Sequence, residues 1–297
     1  TDFALYGRDD LEFTRYYSSV AYRDDHHLGK GWSTNFTYEL DVDQLYADFT
    51  MPQDYHVYFT MLPDGTYTAK TGSAYRMEAT DSAYLIQKED GTLYRFTRNN
   101  DAEEQKIASI LSPEGEEIRY QYDGDLVSSV SNETGSFSFA YHDGQLTKVT
   151  DSVGREVILS YEGDLLSSAQ NPDGDSLRYS YEDGLLNRIE NFEGQVYLTN
   201  EYDSKGRVTK QYVADQGKFL FTYDEAKRQN TCTGENGYSL SIVYDEQGQI
   251  VKSIDGTGAR LITYNDRHQR TSYTDRDGVA LKYEYDDHGN ITKITYG

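Results

Sequence analysis

Cysteine is almost missing from the chain: Cys232 is the only one in 297 residues. No internal disulfide can form, a state that both a reducing cytosol and a bacterial exterior tolerate. Proline is nearly as scarce, at four residues, which suits a continuous sheet because an interior proline removes a ladder donor. Basic residues are outnumbered, 28 Lys and Arg against 51 Asp and Glu, for a formal charge of −23. Phosphate recognition rests on clustered Lys and Arg, so no nucleic-acid partner is expected. No apolar run exceeds four residues, Phe3 to Tyr6 and Ala83 to Ile86 being the longest, and no membrane insertion is expected. The chain opens at Thr1 without a charged and then apolar targeting segment. The expectation is a mature form or a piece excised from something longer.

What the chain has in plenty is tyrosine, 29 residues among only 36% apolar ones. Tyrosine buries a large ring while keeping one polar tip, and such an aromatic load argues against a disordered acidic chain. The tyrosines are ordered along the sequence. A tyrosine followed by an acidic or turn residue recurs every 19 to 21 positions at Tyr122, Tyr141, Tyr161, Tyr181, Tyr202, Tyr223, Tyr244, Tyr264 and Tyr285. Interleaved with it, at spacings of 19 to 23, runs a glycine series: Gly115, Gly135, Gly154, Gly174, Gly194, Gly217, Gly237, Gly258 and Gly278. Two independent markers holding one period define a repeat array.

Inside each period the side chains alternate with period two, the signature of a strand. Val157, Leu159 and Tyr161 fall on one face and Ile158 and Ser160 on the other; Phe137, Phe139 and Tyr141, or Phe219, Phe221 and Tyr223, repeat the arrangement. A shorter strand follows each turn, as in Leu146 to Val149 or Gln249 to Ile254. Each unit therefore reads as strand, Tyr-Asp-x-x-Gly turn, strand, Asn/Asp-x-x-Gly turn. Asp, Asn or Ser opening a turn accepts a bond from the backbone two residues on, and glycine supplies the positive φ that closes the loop. Helix is nearly absent, with Asp101 to Leu111 the one stretch that reads either way. Residues 1–105 lack the clean period but keep hairpin signals at Asp64-Gly65 and Asp90-Gly91. They are read as a β-rich cap anchored by Trp32 and Tyr16 or Tyr17, leading into an array over residues 106–297.

The unit Tyr202-Asp203-Ser204-Lys205-Gly206-Arg207-Val208 resembles the YD repeat of the Rhs family. Tyr244 to Ile250 and Tyr285 to Ile291 match it with only the arginine replaced, and Phe13 to Ser19 followed by Leu28 to Ser33 is similar to the segment that precedes such repeats in bacterial members. The resemblance implies an all-β solenoid of antiparallel hairpins, one long curved, spiralling sheet that forms part of a hollow shell. In bacterial polymorphic toxins such a shell holds a toxic C-terminal domain; related shells occur in insecticidal toxin complexes and in animal teneurins, where they serve adhesion. The DPxGL-type motif of toxin-bearing members is absent, and the sequence stops mid-pattern at Gly297. Eighteen strands at ~4.8 Å each give a ribbon of roughly 85 Å, little more than half the perimeter of a shell that could hold a small domain. An open, curved sheet is therefore expected rather than a closed cage.

Candidate sites divide into architecture and chemistry. The repeat tyrosines read either as rings packing on their equivalents one unit away or as an aromatic platform for sugars; Trp32, the only tryptophan, lies outside the array and weakens the second reading. Calcium loops need alternating carboxylates, a central glycine and a closing glutamate. Asp41-Val42-Asp43 has the spacing alone, and Asp275-Arg276-Asp277-Gly278 reads as a turn. His26, His27, His56, His142, His268 and His288 are scattered without the matched spacing of a zinc site, and Cys232 has no paired histidine. Acids are so numerous that chance carboxylate pairs are inevitable. The sequons at Asn35, Asn132 and Asn290 matter only in a eukaryotic secretory route.

The expected function is that of a non-enzymatic structural segment of a secreted or surface bacterial Rhs protein, with no catalytic residue, cofactor or metal. Its partner is the remainder of its own full-length chain: further repeats and a C-terminal toxin domain. The alternative is an adhesion or glycan-binding module that meets a cell-surface protein or glycan through the exposed sheet face. An enzyme would need a concave site with convergent, perturbed groups.

Overall fold

Alternation with period two dictates strands, and the described residues form 29 of them and no helix. The computed structural model describes residues 11–20, 26–69, 73–286 and 289–297. The stretch that read either way resolves into the strands Glu104–Gln105 and Ile107–Leu111. The chain divides into two units, Thr1–Gln195 and Val196–Gly297.

In the N-terminal unit the hairpin sheet starts at Tyr75–Ala79, upstream of the clean period, and runs in chain order to Leu185–Asn191 with each strand antiparallel to the last. A second sheet of five strands has the order Glu104–Gln105, Glu39–Val42, Tyr46–Met51, Tyr55–Met61, Tyr67–Ala69. Its inner face presents Leu40, Ala47, Phe49 and Phe59, all fully buried. Phe49 meets Tyr94 and Phe96 of the hairpin sheet at ring distances of 5.1 and 5.7 Å.

From there the N-terminal segment lies along the hairpins rung by rung. Phe36 packs on Phe137 at 5.8 Å and Phe13 on Phe137 and Phe139, His27 turns its edge to Tyr141, and Trp32 meets Tyr179 at 5.0 Å. The cover explains the burial of Val130, Phe137, Val149, Val157, Leu159, Leu166, Ala169, Tyr179 and Leu186. These are the inward positions of an alternating pattern whose other face, as at Ile158, stays exposed.

The C-terminal unit is built from the same hairpins, ten strands from Val196–Tyr202 to Ile291–Tyr296 in chain order. Within it, among the described residues, only Asn200 is buried. Phe219, Phe221, Leu240, Ile242 and Leu281 occupy the inward positions by repeat count and are half-exposed. Asp287 and His288 of the last turn lie outside the described residues.

Two kinds of turn join the strands. Asp-x-x-Gly turns follow the expected chemistry: Asp151 Oδ1 accepts from the backbone N–H of Val153 and Arg155, and Gly154 N–H donates to the Asp151 carbonyl. The tyrosine-side turns of the N-terminal unit are tighter, with two central residues. Asp143-Gly144 and Asp183-Gly184 have φ positive at both, the type I′ pattern, whereas Gly124 and Gly163 lead their pairs with φ of 61° and 64°, the type II′ pattern.

Candidate functional site: the tyrosine face of the array

Eight of the nine repeat tyrosines coincide with a register shift, where one strand of the hairpin carries an extra residue; Tyr223 is the exception. A bulge increases local twist and ends regular pairing. The consequence is visible beside Tyr161. Ladder pairing between Gln145–Asp151 and Glu156–Glu162 stops at Lys148 opposite Ile158, although both strands continue. The Leu146 carbonyl lies past the last rung, and the Tyr161 hydroxyl donates to it at 2.6 Å.

The same bond recurs from Tyr122 to the Ile107 carbonyl, Tyr141 to Val127, Tyr181 to Leu166, Tyr223 to Val208, Tyr264 to Ile250 and Tyr285 to Arg270, at 2.7 to 3.0 Å. In all but the first, the accepting residue sits across the hairpin from the preceding repeat tyrosine. Tyr202 accepts from Asn200 Nδ2. Tyr244, which follows the one hairpin without a shift, makes no such bond among the described residues.

Among the described residues no two consecutive repeat tyrosines pack ring on ring. Equivalent residues of adjacent hairpins are two strands apart, roughly 9.5 Å, too far for stacked rings. The conserved geometry therefore runs through the hydroxyl. Burial raises the phenols of Tyr122 and Tyr181, and that of Tyr141 to about 12, so the hydroxyls stay protonated as donors. Tyr161→Phe is expected to destabilise the N-terminal unit by about 1–2 kcal/mol, because a carbonyl is left without its partner. The same change at Tyr285, whose bond to the Arg270 carbonyl is exposed where that of Tyr161 is partly buried, is expected to cost a few tenths, ~0.5 kcal/mol or less; urea melts of the two variants check the ordering.

Of the nine signature glycines, eight have positive φ, from 83° at Gly237 to 143° at Gly258; Gly135 does not, and its Asn132-led turn is closed by bonds to Asn132 Oδ1. The other candidates take structural places. Asp43 Oδ1 accepts from Leu45 N–H, and Asp275 Oδ1 from Asp277 and Val279 N–H, so both act on turns. His26 bonds Glu39, His27 the Gly144 carbonyl, and His268 Gln249. His56 bridges Asp48 and Asp54, while His142 faces Asp143 on the surface; His288 lies outside the described residues. Cys232 is half-buried between Phe221 and Leu240, and burial raises its thiol. Among the described residues no three His, Cys, Asp or Glu side chains converge to hold a metal ion. A cleft of about 100 Å³ opens between His26, His27, Glu39, Glu104, Tyr122 and Tyr141.

Sequence reasoning passed over Arg15. It is buried, its Nη2 donates to the Tyr179 hydroxyl at 2.7 Å, and its guanidinium lies 5.4 Å from the rings of both Trp32 and Tyr179. Trp32 Nε1 donates to Tyr181, and Tyr17 accepts from Leu186 N–H. Arg15, Tyr17 and Trp32 thus form the latch that holds the cover on the last rungs of its unit.

Three family models match the chain: a domain of unknown function (DUF6531) over residues 1–59, the teneurin YD-shell over residues 85–210, and the RHS repeat over residues 264–297. No curated protein matches. Among solved structures, TcdB2-TccC3-TEV and the Photorhabdus luminescens Tc holotoxin pore are each similar over 85% of this chain, at 11% identity and a TM-score of 0.50. Identity that low speaks to fold alone. The chain spans 18% of the length of each of those chains.

Proposed function

We propose that this chain, which belongs to the Rhs/YD-repeat family, is a non-catalytic wall segment whose tyrosine-bearing face is turned toward a polypeptide, the C-terminal toxin domain of the full-length protein. One observation carries this reading. The apolar row that is buried in residues 120–186 under the N-terminal segment recurs at Phe219, Phe221, Leu240, Ile242 and Leu281, where it is half-exposed. A partly open apolar face on a repeat sheet is a surface on which a polypeptide can be held. Work of this kind takes place outside the cytoplasm or at the cell surface, and the partners are other parts of the same large protein.

The test is photo-crosslinking in the full-length protein. A crosslinking side chain at Phe221 or Ile242 is expected to capture the toxin domain. The same probe at Leu220 or Leu261, which register places on the opposite face at 51% and 45% exposure, is expected not to. Equal capture from both faces would remove the reading.

A second reading rests on Tyr46 and Tyr58, which share the outward face of the five-stranded sheet and stand exposed beside Asp48. Exposed rings beside carboxylates suit sugar binding, and selective signal on a glycan array that is lost in a Tyr46→Ala, Tyr58→Ala variant would favour an adhesion module.

A further inference from the structure

The outward face of the five-stranded sheet carries an arrangement that neither wall-building nor core packing requires. Register sets Glu104 opposite Asp41 and Asp41 opposite Asp48, so three carboxylates lie side by side across adjacent strands, with Glu39 two residues from Asp41. Like charges directly opposite one another destabilise a sheet. The other residues that register puts on this face are Tyr46, Thr50, His56, Tyr58, Thr60 and Thr68, none of them Lys or Arg.

Imidazoles close the row. His26 Nδ1 lies 2.6 Å from Glu39 Oε1. His56 places Nδ1 3.0 Å from Asp48 Oδ1 and Nε2 3.0 Å from Asp54 Oδ1. Only the protonated ring donates from both nitrogens. Asp54 and its neighbour Gln53 hold φ of 62° and 68°, a left-handed turn that costs residues other than glycine of order 1 kcal/mol each. The His56 bond to Asp54 therefore steadies a strained hairpin tip.

The elements around the row add little positive charge. Glu103 precedes Glu104, and Asp43 follows Asp41 into its turn. Lys106 is engaged with Asp125 at 2.8 Å, and His27 with a backbone carbonyl. The Tyr58 hydroxyl faces Asp48, and Tyr122 lies beyond Glu104.

We propose that this sheet is a proton-responsive element, tightened as protons bind at Asp41, Glu104 and His56 in mild acid and loosened as they leave toward alkaline pH.

The charges around these groups agree in sign. Burial first, then Glu39, Asp48 and Glu103, raises the Asp41 carboxyl, against a smaller opposing effect of His56. Burial first, then Glu39, Asp41 and Asp125, raises Glu104, opposed by His27. Burial pulls His56 down, but its bonds to Asp48 and Asp54 outweigh that and raise it. A carboxylic acid raised on folding carries its penalty above its folded value and is relieved as pH falls through it. A raised histidine stabilises fully below its unfolded value of ~6.5 and loses that contribution as pH rises through the folded one. All three contributions thus favour the sheet as pH falls, His56 on the way down to its unfolded value of ~6.5 and the two carboxyls further down, toward their unfolded values of ~4. Asp224, held down first by its bond to Lys227, and Asp255, held down first by Thr257, work in the opposite sense in the array turns. The response is therefore local to the sheet.

Peptide-resolved hydrogen exchange, corrected for intrinsic rates, tests the proposal on the whole chain. Amides of Tyr46–Met51 and Tyr55–Met61 are expected to be at least about threefold better protected at pH 5.5 than at pH 8, relative to those of Glu156–Glu162. An unchanged or inverted ratio overturns the proposal, as does a further gain in protection below pH 5.5 that persists in full in the Asp41→Asn, Glu104→Gln variant. Should that variant fail to fold, an NMR titration of His56 in the wild-type chain decides. A midpoint above the ordinary histidine value is expected, and one at or below it overturns the proposal. The outcome is independent of whether the array holds a toxin domain.

Discussion

Phe137→Ala is expected to destabilise the N-terminal unit by about 3–5 kcal/mol, while Phe221→Ala is expected to cost the C-terminal unit only about 1 kcal/mol. Both residues stand at inward positions of a hairpin strand, and both precede a repeat tyrosine in the same alternation. They differ in what lies above them. Phe137 is 2% exposed, with the rings of Phe13 at 6.3 Å and Phe36 at 5.8 Å closing over it. Truncating it opens a cavity that two aromatic rings and a sheet cannot fill by small shifts. Phe221 is half-exposed and has no ring neighbour among the described residues, so its removal forfeits partial burial and leaves no void. Equilibrium urea unfolding read separately in each unit by hydrogen exchange measures both losses. Comparable losses would mean that the apolar face of the C-terminal unit is already covered, which contradicts the surface on which the proposed function rests.

The repeat was legible because its determinants are local. A bulge, an Asx-type bond and a glycine with positive φ each involve residues within about five positions, and they recur with the period. Strand positions, inward faces and most turn glycines follow from that. Which rungs the N-terminal segment rests on was not legible, because contacts such as that of Arg15 with Tyr179 join residues 164 positions apart. Nothing in the alternation of Val157, Leu159 and Tyr161 distinguishes it from that of Leu240, Ile242 and Tyr244, yet Val157 and Leu159 are buried while Leu240 and Ile242 are half-exposed. The tyrosines show a subtler limit. Their spacing announces a repeated role, but whether ring or hydroxyl carries it depends on where the ladder stops, and that follows from the bulge one hairpin earlier. The carboxylate row was hidden for a similar reason: Asp41, Asp48 and Glu104 become neighbours only through cross-strand register. In the sequence Asp41 and Asp43 are the pair, whereas register places Asp41 beside Asp48 and leaves Asp43 to the turn.

Gly29→Ala is expected to cost about 2–4 kcal/mol and to loosen the N-terminal cover from its rungs. Gly29 holds φ of +88°, and a Cβ there would stand 3.0 Å from the Leu166 nitrogen and 3.2 Å from the Asp164 carbonyl oxygen. Those are backbone atoms of a paired strand and its tight turn, so they cannot swing aside as a side-chain tip would. The left-handed φ alone costs an alanine of order 1 kcal/mol, and the displacement adds to it by lengthening the Lys30 N–H bond to the Asp164 carbonyl, now 3.1 Å. Trp32 follows directly, its N–H bonded to the Gly29 carbonyl and its indole donating to Tyr181, so a shift at the seam carries into the latch. Gly154→Ala supplies the control: φ is +86° and nothing lies within 4 Å of the added carbon, so about 1 kcal/mol of backbone strain is all that it introduces. The excess of the first loss over the second measures the seam itself. It should be accompanied by faster exchange at Trp32–Thr34 and Leu165–Gln170 with Ser136–His142 less affected. Equal melting losses for the two variants would place the N-terminal segment elsewhere than on these rungs, and with it the reason that one unit of a uniform repeat is buried while the other keeps its face open.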